Sequence, residues 1–432
     1  MCRRWRSVVF QSPRRLNLRL ICTRKTPTSD TLDIWPPLPL IISDVDDTNG
    51  EPPETENIDA ALEHNDRVCQ IQLVNLSSSQ LECVMNSAAM QKPFPKLTHL
   101  WLSGCVLDGQ EVVLPDSFLG GTAPRLQSLG LYDIPFPGLV PKLLLSATRL
   151  VRLSLYAIPL FWRIPPEVMV TSLSALTSLE SLCLHFLYPC IRRALDSQPF
   201  TGTRSILPSL TKILFKGASE YLEDILVRID TPRLNLFDIT FLNPAMMIFE
   251  TEELFQFISR RPTEKGHITF NPKAITVTSE TFDYIVPCVA SEWQLSSLEQ
   301  VCTSSLPPPS TLEDLYIFED RGNPPRFQDD VGNLLWQELL HPFATVKNLY
   351  LCEKIVLHIA PALQEFVGGR TTEVLPTLEN IFLERFQPSE PLHEGIEEFV
   401  AARRFTGHPV AVSRWDRDSD QDVHLQWEFR DW

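Results

Sequence analysis

Pro95-Lys96-Leu97-Thr98-His99-Leu100-Trp101-Leu102 is the stretch that decides the fold, because its P-x-L-x-x-L-x-L pattern returns along the chain. Further copies are Pro124-Arg125-Leu126 with Leu129 and Leu131, Thr148-Arg149-Leu150 with Leu153 and Leu155, and Thr177-Ser178-Leu179 with Leu182 and Leu184. Pro208-Ser209-Leu210 leads to Ile213 and Phe215, and Pro232-Arg233-Leu234 to Phe237 and Ile239. Ser310-Thr311-Leu312, Ala344-Thr345-Val346 and Pro376-Thr377-Leu378 open the last three copies. Successive first apolar positions lie 29, 24, 29, 31, 24, 78, 34 and 32 residues apart. The 78-residue gap equals three periods, and Ala274-Ile275-Thr276-Val277 and Leu298-Glu299-Gln300-Val301 are degenerate strand candidates inside it. A fixed period of this size means stacked supersecondary units.

In L-x-L both leucines point to one face of a strand, since side chains alternate with period two. One short strand cannot hide that face, and stacking neighbours makes a continuous core. The leading proline fixes its own φ and disfavours helix in the residue before it, so it is expected to end a helix and start the chain extended. Between the strands lie helical patterns at Ser78–Met90, Glu220–Ile229, Asp330–Leu340, Ile355–Val367 and Ile396–Arg404. Strand, helix, strand at this period predicts parallel strands with right-handed crossovers. The expected architecture is a curved α/β solenoid with strands on the concave side, helices on the convex side and irregular repeats of about 24–34 residues. The array is expected over 16–408, starting with Leu16–Leu20, Leu38–Ile42 and Val68–Leu73. Residues 409–432 form a cap in which Pro409–Val412 pairs with Val423–Phe429, and the acidic Asp44–Asn57 stretch is a loop.

The first residues, Met1-Cys2-Arg3-Arg4-Trp5-Arg6-Ser7-Val8-Val9-Phe10 and then Ser12-Pro13-Arg14-Arg15-Leu16, resemble the last helix of an F-box running into attached repeats. With the repeats, the whole chain resembles the F-box/leucine-rich-repeat family, in a branch with irregular repeats such as the fungal one. That resemblance implies a substrate receptor of an SCF ubiquitin ligase: a Skp adaptor on Cys2, Trp5 and Val8 in residues 1–15, a cullin ligase beyond it, and a target protein on the repeats. The L-P-x-E start and first helices of the motif are absent, so the expectation includes an N-terminally truncated gene model or a stand-alone scaffold without adaptor binding.

In such repeats the residues flanking the last two apolar positions leave the core on the concave side. Those columns hold Trp101, Tyr132, Tyr156, His185, Tyr316, Phe318, Tyr350 and Phe382. Large aromatics there suit protein recognition, because they bury much area at little entropic cost. The competing expectation is that flanking segments cover them.

Composition narrows the function further. Net charge is −16, and the first 25 residues contribute eight cations and no acid, so the remainder is more acidic still. Such a surface repels phosphate backbones, and no nucleic-acid partner is expected. No apolar run reaches the roughly 18–20 residues of a membrane span. Ten cysteines without a C-x-x-C pair, several in apolar runs, fit reduced thiols in the cytoplasm or nucleus.

No metal, cofactor or catalytic residue is expected. Ser43-Asp44-Val45-Asp46-Asp47-Thr48 imitates the D-x-D-x-T of haloacid-dehalogenase-like phosphatases, with Asp44 as nucleophile and Asp46 as general acid. The acidic, Pro-rich continuation favours a solvated loop instead. Cys183 and His185 share a strand face, but no acid accompanies them, which favours a structural role.

Overall fold

The computed structural model describes residues 18–25, 27–45, 53–104, 113–134, 139–158, 164–187, 202–241, 265–271, 274–279, 282–287, 312–319, 336–337, 340–341, 343–367, 372–384 and 391–415. The chain is α/β and divides into two compact units, Met1–Phe237 and Asp238–Trp432.

In the first unit, strands β1 (Leu18–Ile21), β2 (Leu40–Ser43), β3 (Val68–Leu73), β4 (His99–Ser103), β5 (Ser128–Tyr132), β6 (Arg152–Ile158), β7 (Ser181–Phe186) and β9 (Lys212–Gly217) pair in parallel in chain order. Between β7 and β9, β8 (Ser205–Ile206) pairs in parallel with β10 (Ile229–Asp230) in a separate small sheet. Helices α1 (Thr28–Ile34), α2 (Thr55–Leu62), α3 (Ser78–Asn86), α4 (Leu139–Ser146), α5 (Pro166–Ser174) and α6 (Ser219–Leu226) connect the strands. They pack in series, α1 on α2, α2 on α3, α4 on α5 and α5 on α6. Helix α3 starts on a reciprocal cap: Gln80 N–H donates to Ser77 Oγ at 3.3 Å, and Ser77 N–H to Gln80 Oε1 at 3.1 Å.

Parallel register turns the repeated leucines into ridges. Leu20, Ile42, Ile71, Leu100, Leu129, Leu153, Leu182 and Ile213 stand side by side across the sheet, and all are buried. A second buried ridge runs Leu73, Leu102, Leu131, Leu155, Leu184 and Phe215. The intervening residues face away from the helices, and we call that side the open face.

The proline position works differently from the expectation. Leu97 N–H donates to Phe94 O, Leu126 to Ala123 O, Leu210 to Leu207 O, Leu234 to Thr231 O and Leu378 to Leu375 O. Each proline is therefore the second residue of a closed turn, where its fixed φ is already correct, and extended chain begins only afterwards. The Pro-free copies make the same turn, as in Leu150 N–H to Ala147 O.

The chain leaves the first unit within β11 (Leu236–Phe241). In the second unit β12 (Lys265–Asn271) pairs antiparallel with β13 (Ala274–Ser279), and β13 antiparallel with β14 (Phe282–Pro287). This corrects the expectation of three parallel repeats in the long gap. Ala274–Val277 is a strand, but it belongs to a meander; Leu298–Val301 lies outside the described residues. From β12 onward the order is parallel again, through β15 (Asp314–Glu319), β16 (Asn348–Leu351), β17 (Asn380–Glu384) and β18 (Ala411–Trp415).

Helices α7 (Glu353–Gln364) and α8 (Glu394–Phe405) pack together. The strand at the cap position extends three residues past Val412 and continues the parallel sheet, while Val423–Phe429 lies outside the described residues. Thr55–Asn57, expected in a loop, open α2.

Two buried arginines tie the turns together through backbone carbonyls. Arg67 Nε donates to Leu38 O at 3.1 Å and its Nη2 to Pro36 O at 2.6 Å. Arg403, fully buried on α8, donates from Nη2 to Pro376 O at 3.2 Å and Leu378 O at 3.1 Å. Arg403→Ala strands those carbonyls and opens a cavity, so a loss of about 3 kcal/mol is expected by urea denaturation. Arg403→Met, which keeps the volume and removes the buried charge, is expected to lose clearly less. Equal stability of the Ala variant and the wild type would contradict this role.

Candidate functional site

On the open face of the first unit, four of the aromatic and imidazole side chains expected from sequence come together. Trp101 (β4) lies 6.1 Å from Tyr156 (β6), Tyr132 (β5) lies 6.2 Å from Tyr156, and Tyr156 lies 6.0 Å from His185 (β7), centroid to centroid. Tyr156 is the hub. Tyr132 is the most open of the four, at 38% exposure.

Gly130 makes the cluster possible. It is the β5 residue registered with Trp101, and a Cβ built on it would sit 1.8 Å from indole Cε3. The indole therefore lies across the bare backbone of β5 toward Tyr156. Beyond Gly130 in the same row stand Ser154 and Cys183, both buried.

The backbone is bent directly after both tyrosines. Asp133 has φ +52° and Ala157 φ +54°, a conformation that costs L-residues roughly 1–2 kcal/mol each. Each is followed by a buried isoleucine, Ile134 and Ile158. The sequence signal was present and unread: Tyr132-Asp133-Ile134-Pro135 and Tyr156-Ala157-Ile158-Pro159 repeat the same order. Strain of this kind persists where the surrounding structure over-determines it, and it gathers at binding sites.

Cations and histidines border the cluster. The row Gln70, His99, Ser128, Arg152, Ser181, Lys212 runs along one edge, and His185 is registered with Lys216. Burial, reinforced by Lys216, pushes the His185 imidazole down to about 4. Burial and then Arg152 lower His99. Thr98 Oγ1 and Gln70 Nε2 contact His99 Nδ1 at 2.9 and 3.3 Å, with the amide as the donor in the second pair.

The second unit holds the other four aromatic candidates. Tyr316 (β15), Tyr350 (β16) and Phe382 (β17) stack in register, with centroids 4.0 and 4.5 Å apart and planes within 10°. Beside them Asn380 Nδ2 donates to Asn348 Oδ1 at 2.8 Å, and Asn348 Nδ2 to Asp314 Oδ1 at 2.6 Å. Trp415 of β18 lies against both Tyr350 and Tyr316, at 5.6 and 5.7 Å. Tyr316 and, further along β15, Phe318 are buried, at 9% and 7% exposure, whereas Tyr350 and Phe382 are half-buried.

Cys2, Trp5 and Val8 lie outside the described residues, as does Asp46. Asp44 sits just past the end of β2, where a phosphatase nucleophile would stand, but its carboxylate is engaged. Val74 N–H donates to both oxygens at 3.0 and 2.9 Å, and Asn75 N–H donates at 2.7 Å. Burial raises its pKa despite these bonds, and its charge helps push the Cys22 thiol up to about 12. Among the described residues no group of three or more His, Cys, Asp or Glu is placed to hold a metal, and Cys183 with His185 is no exception.

Compared with known proteins, the chain matches no family model, and no curated protein matches it. No helix among the described residues is long and apolar enough to cross a membrane.

Gly130→Val is expected to lift Trp101 from its seat, changing near-ultraviolet circular dichroism while far-ultraviolet signal is kept; an unchanged near-ultraviolet spectrum would contradict the geometry. For His185 the folded imidazole binds its proton more weakly than the unfolded one. Its contribution is therefore complete above pH 6.5 and is lost as pH falls toward about 4. Urea midpoints at pH 7 and pH 5 are expected to differ less in His185→Gln than in the wild type. A difference as large in the variant would show that His185 does not titrate this way.

Proposed function

We propose that the chain is a protein-interaction module, a leucine-rich-repeat solenoid whose open, concave face binds a target protein and which catalyses nothing itself. The observation that carries this is the cluster of Trp101, Tyr132, Tyr156 and His185, arranged across four adjacent parallel strands at positions that avoid the core. Rigid aromatics on a flat sheet face suit anchoring, because burying each ring costs few rotamers. The repeated turns, the buried leucine ridges and the helix after nearly every strand are what the solenoid reading requires.

Within that reading the module serves as an F-box-type substrate receptor, with Cys2, Trp5 and Val8 facing a Skp adaptor and the cullin ligase supplying the chemistry. Support for this part is the sequence resemblance of residues 1–15. A stand-alone scaffold is the second reading. We place the protein in the cytoplasm or nucleus, in line with the thiols of Cys22, Cys69 and Cys83, which form no disulfide, and assign it no nucleic-acid, membrane or cofactor partner. The amide bonds to Asp44 favour a structural carboxylate over a nucleophile.

A photo-crosslinking residue in place of Tyr132 is expected to capture a reproducible partner from cells of the source, and Trp101→Ala is expected to weaken that capture at least tenfold. Capture that ignores Trp101→Ala would remove the face from the account. Co-purification of the Skp adaptor with the chain, lost on Trp5→Ala, is expected for the receptor; absence of the adaptor leaves the scaffold.

A further inference from the structure

We propose that the second unit carries an arginine-docking recess at the end of its aromatic ladder, where a partner's guanidinium stacks on the outer face of Phe382 above Ser413 and donates to Asn380 Oδ1. This rests on the reading of the repeats as a target-binding module, and it names the chemistry of one contact.

The recess follows from register. The column Tyr316, Tyr350, Phe382 continues on β18 as Ser413, and the column Asp314, Asn348, Asn380 continues as Ala411. Both columns therefore end on a small side chain at β18, and Ala411 and Ser413 are exposed. Tyr350 covers one face of Phe382, with the planes 9° apart, so the other face turns toward β18. Trp415, two residues past Ser413, reaches Tyr350 and Tyr316, and no described ring stacks on that other face.

The amide ladder has a direction. Asp314, as a carboxylate, only accepts, so Asn348 turns its Nδ2 to it and its Oδ1 to Asn380. Asn380 is thereby fixed with its Nδ2 toward Asn348 and its Oδ1 on the side away from Asn348, where no described residue donates to it. A flat aromatic face, an acceptor oxygen and a floor of small side chains meet at this point. A guanidinium matches all three, because it is planar, carries only donors and stacks on aromatic rings. A lysine ammonium brings the charge without the flat face.

Charge favours the cation. Asp238–Trp432 holds 31 Asp and Glu against 15 Lys and Arg, whereas Met1–Phe237 holds 23 of each kind. The whole formal charge of −16 thus lies in the second unit, and ion pairing within that unit leaves the figure unchanged. Such a field draws and orients a basic partner. The open-face positions of β15 to β18 include Asp314 and Glu384 and no Lys or Arg. Arg414 is registered with the buried Leu383 and alternates to the other side, and Lys347 is held by Glu313 at 2.6 Å. Lys265 shares a row with Asp314 on β12, three strands from Asn380.

A random-peptide display library panned on the full chain tests this, with survivors resynthesised and measured by fluorescence anisotropy. Arginine-containing survivors are expected, with affinity that falls as salt is added. Lysine in place of the arginine in the peptide, or Ser413→Trp in the protein, is expected to weaken binding at least about tenfold. Ser413 is exposed, so Ser413→Trp fills the recess without touching the core, and its thermal midpoint is expected to match the wild type. The peptide substitution makes the same test with the protein unaltered. Lysine peptides that bind as well, survivors that ignore Ser413→Trp, or survivors without arginine overturn the proposal. Sensitivity to Trp101→Ala alone overturns it while keeping the first unit as the binding face; sensitivity to Ser413→Trp alone keeps the recess and removes that face.

Discussion

Each parallel strand from β1 to β7 and β9 offers apolar side chains on one side and has no means of burying them alone. Parallel register solves the problem by aligning like with like: Leu100, Leu129, Leu153 and Leu182 form one ridge, and Leu102, Leu131, Leu155 and Leu184 the next. A fully buried leucine contributes about 1.5–3 kcal/mol, so a strand gains most of its stability from immediate neighbours. The turn before each strand, closed by the leading residue's amide, sets the register that keeps the ridges straight. The same alignment determines the other face, because every residue between two leucines must point away from the helices.

The two units use that face in different ways. In the first, Gly130 leaves a bare stretch of backbone on which Trp101 lies, two left-handed residues turn the chain after Tyr132 and Tyr156, and cations border the cluster. In the second, Tyr316, Tyr350 and Phe382 stack flat on each other, and Trp415 reaches back over them. The ladder is flat, and an Asn348–Asn380 hydrogen bond runs beside it, whereas the rings of the first unit's cluster are tilted and Tyr132 among them is exposed.

Much of this was legible in the sequence. The spacing of L-x-x-L-x-L located strands such as β3 and β4 closely, and the alternation placed all eight aromatic and imidazole candidates at positions that avoid the leucine ridges. What was not legible has physical reasons. Pairing direction inside the 265–287 stretch is invisible to periodicity, since parallel and antiparallel strands alternate alike, and the meander was missed. Helices α1, α4 and α5 are short and rich in β-branched, Ser or Pro residues, so their helical period is faint. Whether an aromatic is open depends on what crosses it, and nothing local to Tyr316 announces Trp415. Gly130 looks like an ordinary weak point in a strand until the indole above it is seen, and the basic rows emerge only once register places Arg152, Lys212 and Lys216 on one face.

Hydrogen exchange read by mass spectrometry on Leu129→Ala tests the dependence on neighbours most directly. The ridge account predicts the largest loss of protection in β5, a smaller loss in β4 and β6, and little change by β1 and β2. Protection lost equally across all strands of the first unit, or lost in β5 alone, would contradict it.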